Sequence, residues 1–344
     1  SRFERPPSES LRRELDAARA ARRMVPPAMK VLVTGALGFL GCALSAELER
    51  RGHDVVGVDH APGARAELRI GFDEVDLTRG RAAGADAVVH LACSTQPATS
   101  DAALTRDIAE NVGASAGFFR RCAEAGIGRV VLASSGGTVY GEMPDGARAW
   151  RETDLPAPVT AHGAMKLAVE SYLRVAAAGT SMRTVVARIG NAYGRRVALR
   201  SDHGAAEAIV RAVLSGREVV LWGDGSAVRD YVHIDDVASA LVAMVEAPEP
   251  APIYNVGTGR GTSLVALIEQ AEAVLGRSAL VRRDEARRAD LRRNVLDAGL
   301  LERDLTWKPR VSLEEGIARL AAHFDRAPRR ASALPIRLDF PSSG

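Results

Sequence analysis

The chain has 344 residues, of which 47% are apolar, and its 46 basic and 43 acidic residues leave a net charge of only +3. This length predicts one large or two closely joined domains, and the apolar fraction is typical of a globular protein. So weak a net charge gives no reason to expect nucleic acid or a membrane as a partner.

Cysteine usage and the lack of long apolar runs point to a compartment. Cys42, Cys93 and Cys122 are widely spaced and form no metal-binding or redox motif, which favours a reducing environment. No apolar run reaches the length of a membrane span, and the N-terminal residues lack the apolar core of a signal peptide. We therefore expect a cytoplasmic protein without a metal site.

The first residues of the chain, residues 1–28, form a predicted N-terminal extension. Residues 8–23 are rich in Arg, Glu and Ala, and Pro26 and Pro27 interrupt this helix-like composition. The extension is either a flexible or helical appendage or a helix that packs on a partner subunit.

A glycine-rich turn follows the first predicted strand. Residues 31–33 are a short apolar run suited to a central parallel strand, and a predicted helix begins at Cys42. Between them, Gly35 permits a tight turn, Gly38 lets phosphates approach, and Gly41 lets helix and strand pack closely. Because the turn lies after a strand and before a helix, it indicates a dinucleotide pyrophosphate at the positive end of the helix.

A second predicted strand, residues 54–58, ends at Asp59. An acidic side chain at this place accepts hydrogen bonds from the adenosine ribose and repels a 2′-phosphate, so it favours NAD over NADP. The basic neighbour His60 weakens that discrimination, and the alternative is that Asp59 is a solvated loop residue.

The most informative segment, residues 162–170, reads His-Gly-Ala-Met-Lys-Leu-Ala-Val-Glu. It resembles the segment Tyr-Gly-x-Ser-Lys-x-x-x-Glu of the extended short-chain dehydrogenase/reductase family, and in particular its NAD-dependent nucleotide-sugar epimerases and dehydratases. His162 stands where the family has its catalytic tyrosine, while Lys166 keeps its place four residues on, on the same helix face. Further family-like segments, at residues 139–141, 184–194 and 221–237, extend the resemblance over about residues 29–325.

This resemblance implies an α/β fold, a doubly wound parallel sheet of the Rossmann type with a smaller C-terminal α/β substrate domain. The expected parts are an NAD-binding domain at residues 29–190 with about 234–258, a substrate domain at 191–233 and 259–327, and a tail at 328–344. The resemblance also implies a homodimer, formed by a four-helix bundle of the helices near residues 105–125 and 162–177. The apolar positions in these helices are equally consistent with core.

For the cofactor, the resemblance implies NAD. Asp76 and Leu77 are expected at its adenine edge, and the ammonium of Lys166 at its nicotinamide ribose. The predicted cofactor-binding residues are Gly35, Gly38, Phe39, Leu40, Gly41, Asp59, His60, Asp76, Leu77, Leu91, Ala92, Lys166 and Ile189.

The predicted catalytic residues are His162, Lys166, Ser135 and Thr138. By resemblance, a Ser or Thr four residues before the tyrosine of the Val-Tyr-Gly segment bonds the sugar 4-hydroxyl, but Gly136 occupies that place. Ser135 and Thr138 flank it, and either hydroxyl is a candidate for the same role. The alternative is that both hydroxyls bond only the backbone.

Three interpretations of His162 remain open. Histidine has a reference pKa near 6.5, against about 10 for tyrosine, so it is a competent base without help from Lys166. Its ring is shorter than a phenol, so its nitrogen would stop short of the tyrosine oxygen's place, with room for a bridging water. His162 is a substitute base, or the site keeps binding without redox chemistry, or it is retuned for a substrate that carries a carboxylate or phosphate.

A further group of residues is expected at the nucleotide sugar. The predicted substrate-binding residues are Asn191, Trp222, Arg229, Arg288 and Asp290. By resemblance, Arg229 contacts the diphosphate, for which a guanidinium fork is suited. Arg195 and Arg196 either face solvent, as charged runs usually do, or favour an anionic sugar. Asp235 and Asp236 are expected to cap the helix that follows them.

The leading hypothesis is an NAD-dependent nucleotide-sugar epimerase that acts at C4 of a UDP- or dTDP-sugar through a transient 4-keto intermediate. By resemblance, dehydratases and decarboxylases carry acidic residues just before their Val-Tyr-Gly segment. This chain has Gly137 and Thr138 there, so these reactions are less favoured. The alternatives are a protein that binds NAD and nucleotide sugar without turnover, and a nucleotide-sugar dehydrogenase or reductase.

Overall fold

The computed structural model describes residues 27–60, 67–95, 104–144, 146–195, 204–284, 291–326 and 336–337. The predictions for most of the N-terminal extension, for Arg196, Arg288 and Asp290, and for most of the tail lie outside these described residues.

Strands and helices alternate along most of the described chain. The strands are β1 (Lys30–Thr34), β2 (Asp54–Val58), β3 (Ala87–His90), β4 (Arg129–Ser135), β5 (Arg183–Ile189), β6 (Asn191–Tyr193), β7 (Glu218–Trp222), β8 (Val228–His233), β9 (Ile253–Val256), β10 (Gly261–Ser263), β11 (Leu280–Asp284), β12 (Arg293–Asn294) and β13 (Ile336–Arg337). The helices are α1 (Phe39–Arg50), α2 (Leu104–Asp107), α3 (Ala114–Glu124), α4 (Gly136–Val139), α5 (Ala161–Ala177), α6 (Ala205–Ser215), α7 (Ile234–Glu246), α8 (Leu264–Leu275), α9 (Gly299–Leu305) and α10 (Leu313–Arg326). A π-helical turn, Ile108–Gly113, joins α2 to α3.

The largest sheet has six strands in the order β2-β1-β3-β4-β5-β9, and every neighbouring pair is parallel. The chain leaves β1 to form β2 on one side and returns to form β3 on the other. The strand order therefore reverses between β1 and β3, and ligands of such sheets bind outside the carboxyl ends of the strands at this point. The predicted doubly wound parallel sheet is confirmed.

Both faces of this sheet are buried, which explains its continuous apolar runs. Val31 and Val33 pack on one face in a cluster that includes residues of α1 and α7. Leu32 packs on the opposite face in a cluster that includes Phe118 of α3 and Leu173 of α5. Helices thus cover both faces, and only the ends of the strands are left for a site.

The C-terminal part contains two smaller sheets. Strand β8 pairs with β6, β10 and β12, and β7 pairs with β11 and β13. Helices α6, α8 and α10 form a common core against them, with Ile209, Leu267 and Ile317 fully buried. A short part of the predicted tail, β13, therefore belongs to a sheet.

One predicted helix cap is wrong. Helix α7 begins at Ile234, and the cap is His233, whose Nδ1 accepts a hydrogen bond from Asp235 N at 3.2 Å. Asp235 therefore lies inside the first turn, where a carboxylate faces the positive end of the helix dipole. Asp236 instead accepts backbone N–H bonds from Arg310 and Val311, at 3.0 Å each.

Candidate functional site

The glycine turn lies at the carboxyl end of β1, at the reversal of strand order. Gly35 has a φ of +70°, a conformation that favours glycine. Gly38 is exposed and caps the N-terminus of α1. A Cβ on residue 41 would lie 2.1 Å from the carbonyl oxygen of Gly35, so only glycine fits there. The turn thus lies close to the N-terminus of a helix, where a pyrophosphate binds favourably.

Asp59 lies directly beside this turn. It follows β2, its side chain is only 9% exposed, and its Oδ2 accepts a hydrogen bond from Leu37 N at 3.0 Å. The neighbouring His60 has its side chain 88% exposed, with Nδ1 3.7 Å from Asp59 Oδ1. A carboxylate fixed next to a phosphate-binding turn fits the ribose of a dinucleotide.

The loop after β3 also packs on the glycine turn. A Cβ on Gly35 would lie 3.0 Å from Ala92 N. Thr34 Oγ1 accepts hydrogen bonds from Leu91 N at 3.2 Å and Ala92 N at 3.3 Å, and it lies 2.8 Å from Nδ1 of His90. Burial, and after it the charge of Lys166, lowers the pKa of His90 to about 3, so this histidine is a neutral structural residue.

The two residues predicted at the adenine edge have different environments. Leu77 is buried, whereas the exposed Asp76 accepts hydrogen bonds from the hydroxyl and the N–H of Thr78, at 2.6 and 2.9 Å, which lower its pKa. Both line a cavity of about 370 Å³, which is also lined by Arg121 and Glu124 of α3. Three other predicted cofactor residues lie at the ends of elements. Phe39 and Leu40 are half-buried at the start of α1, and Ile189 is buried at the end of β5.

Helix α5 carries His162 and Lys166. Its N-cap is Thr160, whose side chain accepts a hydrogen bond from Gly163 N at 3.2 Å. Lys166 donates from Nζ to the carbonyl oxygen of Ala133 at 3.1 Å, which fixes the ammonium near the carboxyl end of β4. His162 is one helical turn earlier, so both side chains lie on the side of α5 that faces the sheet.

The environment of His162 keeps its imidazole neutral. The residue is 6% exposed, and its Nδ1 is buried without a hydrogen-bond partner among the described residues. Burial, and after it the charge of Lys166, lowers the pKa of His162 to about 3, while Asp107 acts in the opposite direction.

The turn α4 follows β4 and brings further predicted residues together. Ser135 is half-buried, and the Oγ1 of Thr138 is buried without a partner in the described chain. A Cβ on Gly137 would lie 3.4 Å from Asn191 Oδ1 and 3.8 Å from Ser135 Oγ. Ser135 and Asn191 therefore approach each other across Gly137.

Gly136 has a packing role that the sequence did not reveal. A Cβ there would lie 2.5 Å from Leu296 Cδ1 and 3.0 Å from the carbonyl oxygen of Arg188. Leu296 therefore occupies the space that a serine or threonine side chain would need. A side chain at this position would require the side chain of Leu296 to shift.

A buried polar network behind this turn was missed by the sequence reasoning, although its residues lie in the motifs that carried the resemblance. Glu170 and Arg188 form an ion pair at 2.8 Å with side chains 1% and 3% exposed, and Ser134 donates to the same carboxylate. Tyr140 lies against Arg188 and donates its hydroxyl to Asn255 at 2.8 Å. Burial raises the pKa of Tyr140 to about 12, so this tyrosine does not replace the missing phenol as a base.

The residues predicted at the nucleotide sugar lie on neighbouring strands of the C-terminal part. Asn191 on β6 pairs with Tyr231 on β8, two residues from the buried Arg229 on the same strand. Arg229 donates to the carbonyl oxygen of Val228 at 3.0 Å. Trp222 ends β7, and Arg195 is exposed.

Two further findings concern the described part of the chain alone. No helix in it is long and apolar enough to cross a membrane. No group of three or more His, Cys, Asp or Glu residues in it could hold a metal ion.

Comparison with known proteins identifies the family. Residues 31–257 match the model of the NAD dependent epimerase/dehydratase family. The chain is 32% identical to a UDP-glucose 4-epimerase of Mycolicibacterium smegmatis over 86% of this chain and 98% of that protein. It is 28% identical to a dTDP-4-dehydro-6-deoxyglucose reductase of Escherichia coli, over 84% and 96% of the two chains.

A solved structure is similar over the same extent. The UDP-glucose 4-epimerase of Thermus thermophilus, in complex with NAD, superimposes with a TM-score of 0.77 at 33% identity, covering 87% of this chain and 100% of that one. The glycine turn and the carboxylate of Asp59 fit this cofactor, since Asp59 is bonded to the turn at the carboxyl end of β1. The chain therefore belongs to the NAD dependent epimerase/dehydratase family, and its cofactor is NAD.

Proposed function

We propose that the protein is a nucleotide-sugar epimerase that acts at C4 through a transient 4-keto sugar, with His162 as its base. The observation that carries this proposal is the hydrogen bond from Lys166 to Ala133, because it holds α5 against the carboxyl end of β4. His162, Ser135 and Asn191 then surround the same end of the sheet. The similarity to two UDP-glucose 4-epimerases supports the position of the chemistry on the sugar.

Each residue has a defined task in this proposal. NAD, when bound, would supply the hydride chemistry that epimerisation at C4 needs. Lys166 binds the nicotinamide ribose, and Arg229 binds the diphosphate of a UDP- or dTDP-sugar. His162 takes the proton of the 4-hydroxyl at Nε2, because Nδ1 is buried.

The protonation state of His162 has two consequences for catalysis. With a pKa of about 3, the imidazole is neutral and available as a base throughout the physiological range. It is also a weaker base than a side chain whose pKa lies near neutrality. Proton transfer is therefore expected to limit turnover more than in an enzyme with a tyrosine at this position.

A second candidate is a reductase of 4-keto nucleotide sugars. The similarity to the dTDP-4-dehydro-6-deoxyglucose reductase of Escherichia coli favours this reaction. In this case the cofactor is consumed as NADH and released after each hydride transfer.

We also infer that the protein is a homodimer in the cytoplasm. Four large apolar side chains are exposed on neighbouring elements. They are Leu104 on α2 (55% exposed), Ile108 on the π-helical turn (61%), and Tyr172 (48%) and Val175 (69%) on α5. Exposed apolar clusters of this kind mark interaction surfaces. Sedimentation of the purified protein tests the homodimer. The Val175→Glu variant is expected to be a monomer, and a Val175→Glu variant that remains dimeric would contradict the proposal.

One experiment separates these functions. The protein is incubated with a panel of UDP- and dTDP-sugars and with NAD, or with 4-keto sugars and NADH, and products are followed by NMR and by absorbance of the reduced cofactor. A new 4-epimer without net NADH supports the epimerase, and stoichiometric NADH loss supports the reductase. Sugar binding without either product would contradict both and indicate a binding protein.

A matched pair of variants tests the role of His162. His162→Ala is expected to lower kcat by a factor of about 100 or more, in the range found for the loss of a general base. His323→Gln, on the remote helix α10, is the control and is expected to leave kcat unchanged. Unchanged turnover in His162→Ala would show that His162 is not the base.

A further inference from the structure

Gly137 leaves a small open space on the turn α4. Apart from the adjoining residues and the backbone of the turn itself, only two atoms of the described chain would lie within 4 Å of a Cβ on Gly137. They are Asn191 Oδ1 at 3.4 Å and Ser135 Oγ at 3.8 Å, both ordinary van der Waals distances. The space therefore admits one further heavy atom, and we call it the Gly137 niche, bounded by Ser135, Gly137 and Asn191.

The ends of two adjacent strands determine where this niche lies. Ser135 ends β4 and pairs in register with Ile189, which ends β5. Asn191 follows Ile189 by two residues, so both polar residues lie at the carboxyl ends of adjacent parallel strands, where ligands of such sheets bind. Lys166 donates to the carbonyl oxygen of Ala133 on the same strand β4. The niche thus lies at the end of β4 that Lys166 contacts.

The polar side chains of the niche are not used by the fold. Ser135 is the N-cap residue of α4, but its side chain makes no cap hydrogen bond. Serine is favoured at such positions because its hydroxyl usually does make one. Within the described residues, the side chain of Asn191 has no hydrogen-bond partner either. Both groups are therefore available to a ligand, and the interpretation in which the Ser135 hydroxyl bonds only the backbone finds no support.

The preceding residue, Gly136, offers no comparable space. A Cβ there would lie 2.5 Å from Cδ1 of the fully buried Leu296. By resemblance, the family has a side-chain hydroxyl at this position, which bonds the sugar 4-hydroxyl. In this chain the hydrogen-bonding groups of the turn therefore lie around Gly137 and not at Gly136.

A hydroxyl group is the substituent that suits the niche. The hydroxyl of Ser135 and the amide of Asn191 each offer a donor and an acceptor. An oxygen atom at the Cβ position has to come only about 0.5–1 Å closer to them to form hydrogen bonds of normal length. No charged atom of the described residues lies within 4 Å of this position, so the niche has no charge to neutralise a carboxylate or a phosphate.

We propose that the Gly137 niche is a subsite for one hydroxyl group of the sugar, which Ser135 and Asn191 bond, and that Gly137 determines specificity by leaving this space free. The inference rests on the proposed function for the identity of the ligand, a nucleotide sugar. A sugar that lacks this hydroxyl leaves two polar groups unpaired in the complex, which disfavours its binding.

The first test is Gly137→Ala. The added methyl group fills the niche without a clash, and alanine is favoured over glycine in helical backbone. The variant is therefore expected to unfold at the temperature of the parent or at a higher one. Its dissociation constant for the nucleotide sugar is expected to rise about 10-fold or more, since two hydrogen bonds are lost.

The control for this test is Gly117→Ala in α3, where the nearest atom to the Cβ would be 3.8 Å away. This variant is expected to leave the dissociation constant for the sugar unchanged. Unchanged sugar affinity in Gly137→Ala, or a clear loss of its thermal stability, would overturn the proposal.

The second test combines changes in the protein with changes in the ligand. Binding of UDP-glucose and dTDP-glucose to the NAD-loaded protein is measured by calorimetry, and the tighter ligand is compared with its 2-, 3-, 4- and 6-deoxy analogues. In the parent, one analogue is expected to bind about 10-fold or more weakly than the full sugar. In Ser135→Ala the same analogue is expected to lose less than about 3-fold, because the hydroxyl group no longer has this partner. Ser135→Thr keeps the hydroxyl and is expected to retain the discrimination of the parent.

Failure of this proposal is distinct from failure of the proposed function. Sugar binding without any product contradicts the epimerase alone, because the coupling between Ser135 and a sugar hydroxyl is still measured. The proposal is overturned if the deoxy analogues lose the same affinity in the parent and in Ser135→Ala, or if neither sugar binds.

Discussion

Asn294 donates a hydrogen bond from its Nδ2 to the carbonyl oxygen of Gly136 at 3.1 Å. Asn294 is 1% exposed on β12, and Gly136 begins the turn after β4, so this bond joins the C-terminal part to the candidate catalytic turn. Glu142 forms a second connection a few residues later. Its carboxylate accepts hydrogen bonds from Arg292 N at 2.9 and 3.0 Å and from Arg293 N at 3.3 Å.

This double connection predicts a role for Glu142 in binding the nucleotide sugar. Glu142→Ala removes a charged acceptor from two backbone N–H groups, and such bonds contribute about 1.5–3 kcal/mol. The strand β12 follows the segment in which the phosphate clamp is expected, so KM for the sugar is expected to rise about 10-fold while kcat stays within about 2-fold.

The control for Glu142 is Glu302→Ala, which removes an exposed carboxylate paired with Lys308 at 2.5 Å. Steady-state kinetics and NAD binding measure both variants. A lower kcat with unchanged KM in Glu142→Ala would contradict the prediction.

The low pKa of His162 predicts the pH dependence of the reaction. Because the pKa is about 3, the imidazole is already neutral at pH 5, and kcat/KM is expected to be flat from pH 5 to 8. His162→Tyr exchanges this group for one with a reference pKa of about 10, so its activity is expected to rise with pH in that window. An acid limb near pH 6.5 in the parent would show that the free enzyme holds His162 in a more polar environment.

The same burial predicts how stability depends on pH. The unfolded chain protonates His162 near pH 6.5 and the folded chain only near pH 3, so the unfolded state binds more protons between these values and stability falls as pH falls. Each such histidine contributes a slope of about 1.4 kcal/mol per pH unit in this window. The free energy of unfolding is measured with urea at pH 4.5 to 6. Its slope against pH is expected to be smaller by about this amount in His162→Gln than in the parent.

His90 is buried in the same way and remains in both proteins, so the comparison isolates His162. Equal slopes in the parent and in His162→Gln would contradict the burial of the imidazole.

Sequence reasoning succeeded where spacing along the chain determines the structure. The glycine turn and the parallel strands around it follow from apolar runs and from Gly35 and Gly41, which act on their immediate neighbours. The place of Asp59 directly after β2 was predicted from the sequence, whereas its bond with Leu37 N was found only in the structure.

Contacts between distant parts of the chain could not be predicted in this way. The bond of Asn294 to Gly136 joins residues 158 positions apart, and nothing in either local segment signals the other. A π-helical turn, Ile108–Gly113, which periodicity does not reveal, packs on α5. The burial of Nδ1 in His162 likewise depends on this packing and not on the motif.

Close packing at the glycine turn predicts the effect of Gly41→Ala. The added methyl group would lie 2.1 Å from the carbonyl oxygen of Gly35, and the turn has to open to accommodate it. Overpacking of this kind costs about 1–3 kcal/mol, and NAD affinity is expected to fall with it. Thermal unfolding and NAD titration measure both effects.

Gly113→Ala is the control for Gly41→Ala, because the nearest atom to its Cβ would be 3.7 Å away. Replacing a sterically unrestricted helical glycine by alanine is expected to stabilise the folded protein slightly, by about 0.5–1 kcal/mol. Similar effects of the two substitutions would contradict the packing argument for Gly41.

Asp59 is expected to select NAD over NADP. Asp59→Asn keeps an oxygen to accept the hydrogen bond from Leu37 N but removes the negative charge that would repel a 2′-phosphate. The ratio of the dissociation constants for NADP and NAD is therefore expected to fall by about 10-fold or more, since removal of one close like charge is worth roughly 1.4 kcal/mol or more. Asp54→Asn, at the other end of β2 and paired with Arg81 at 2.8 Å, is the matched control and is expected to leave the ratio unchanged. If Asp59→Asn excludes NADP as strongly as the parent, selectivity does not arise from this charge and the prediction is wrong.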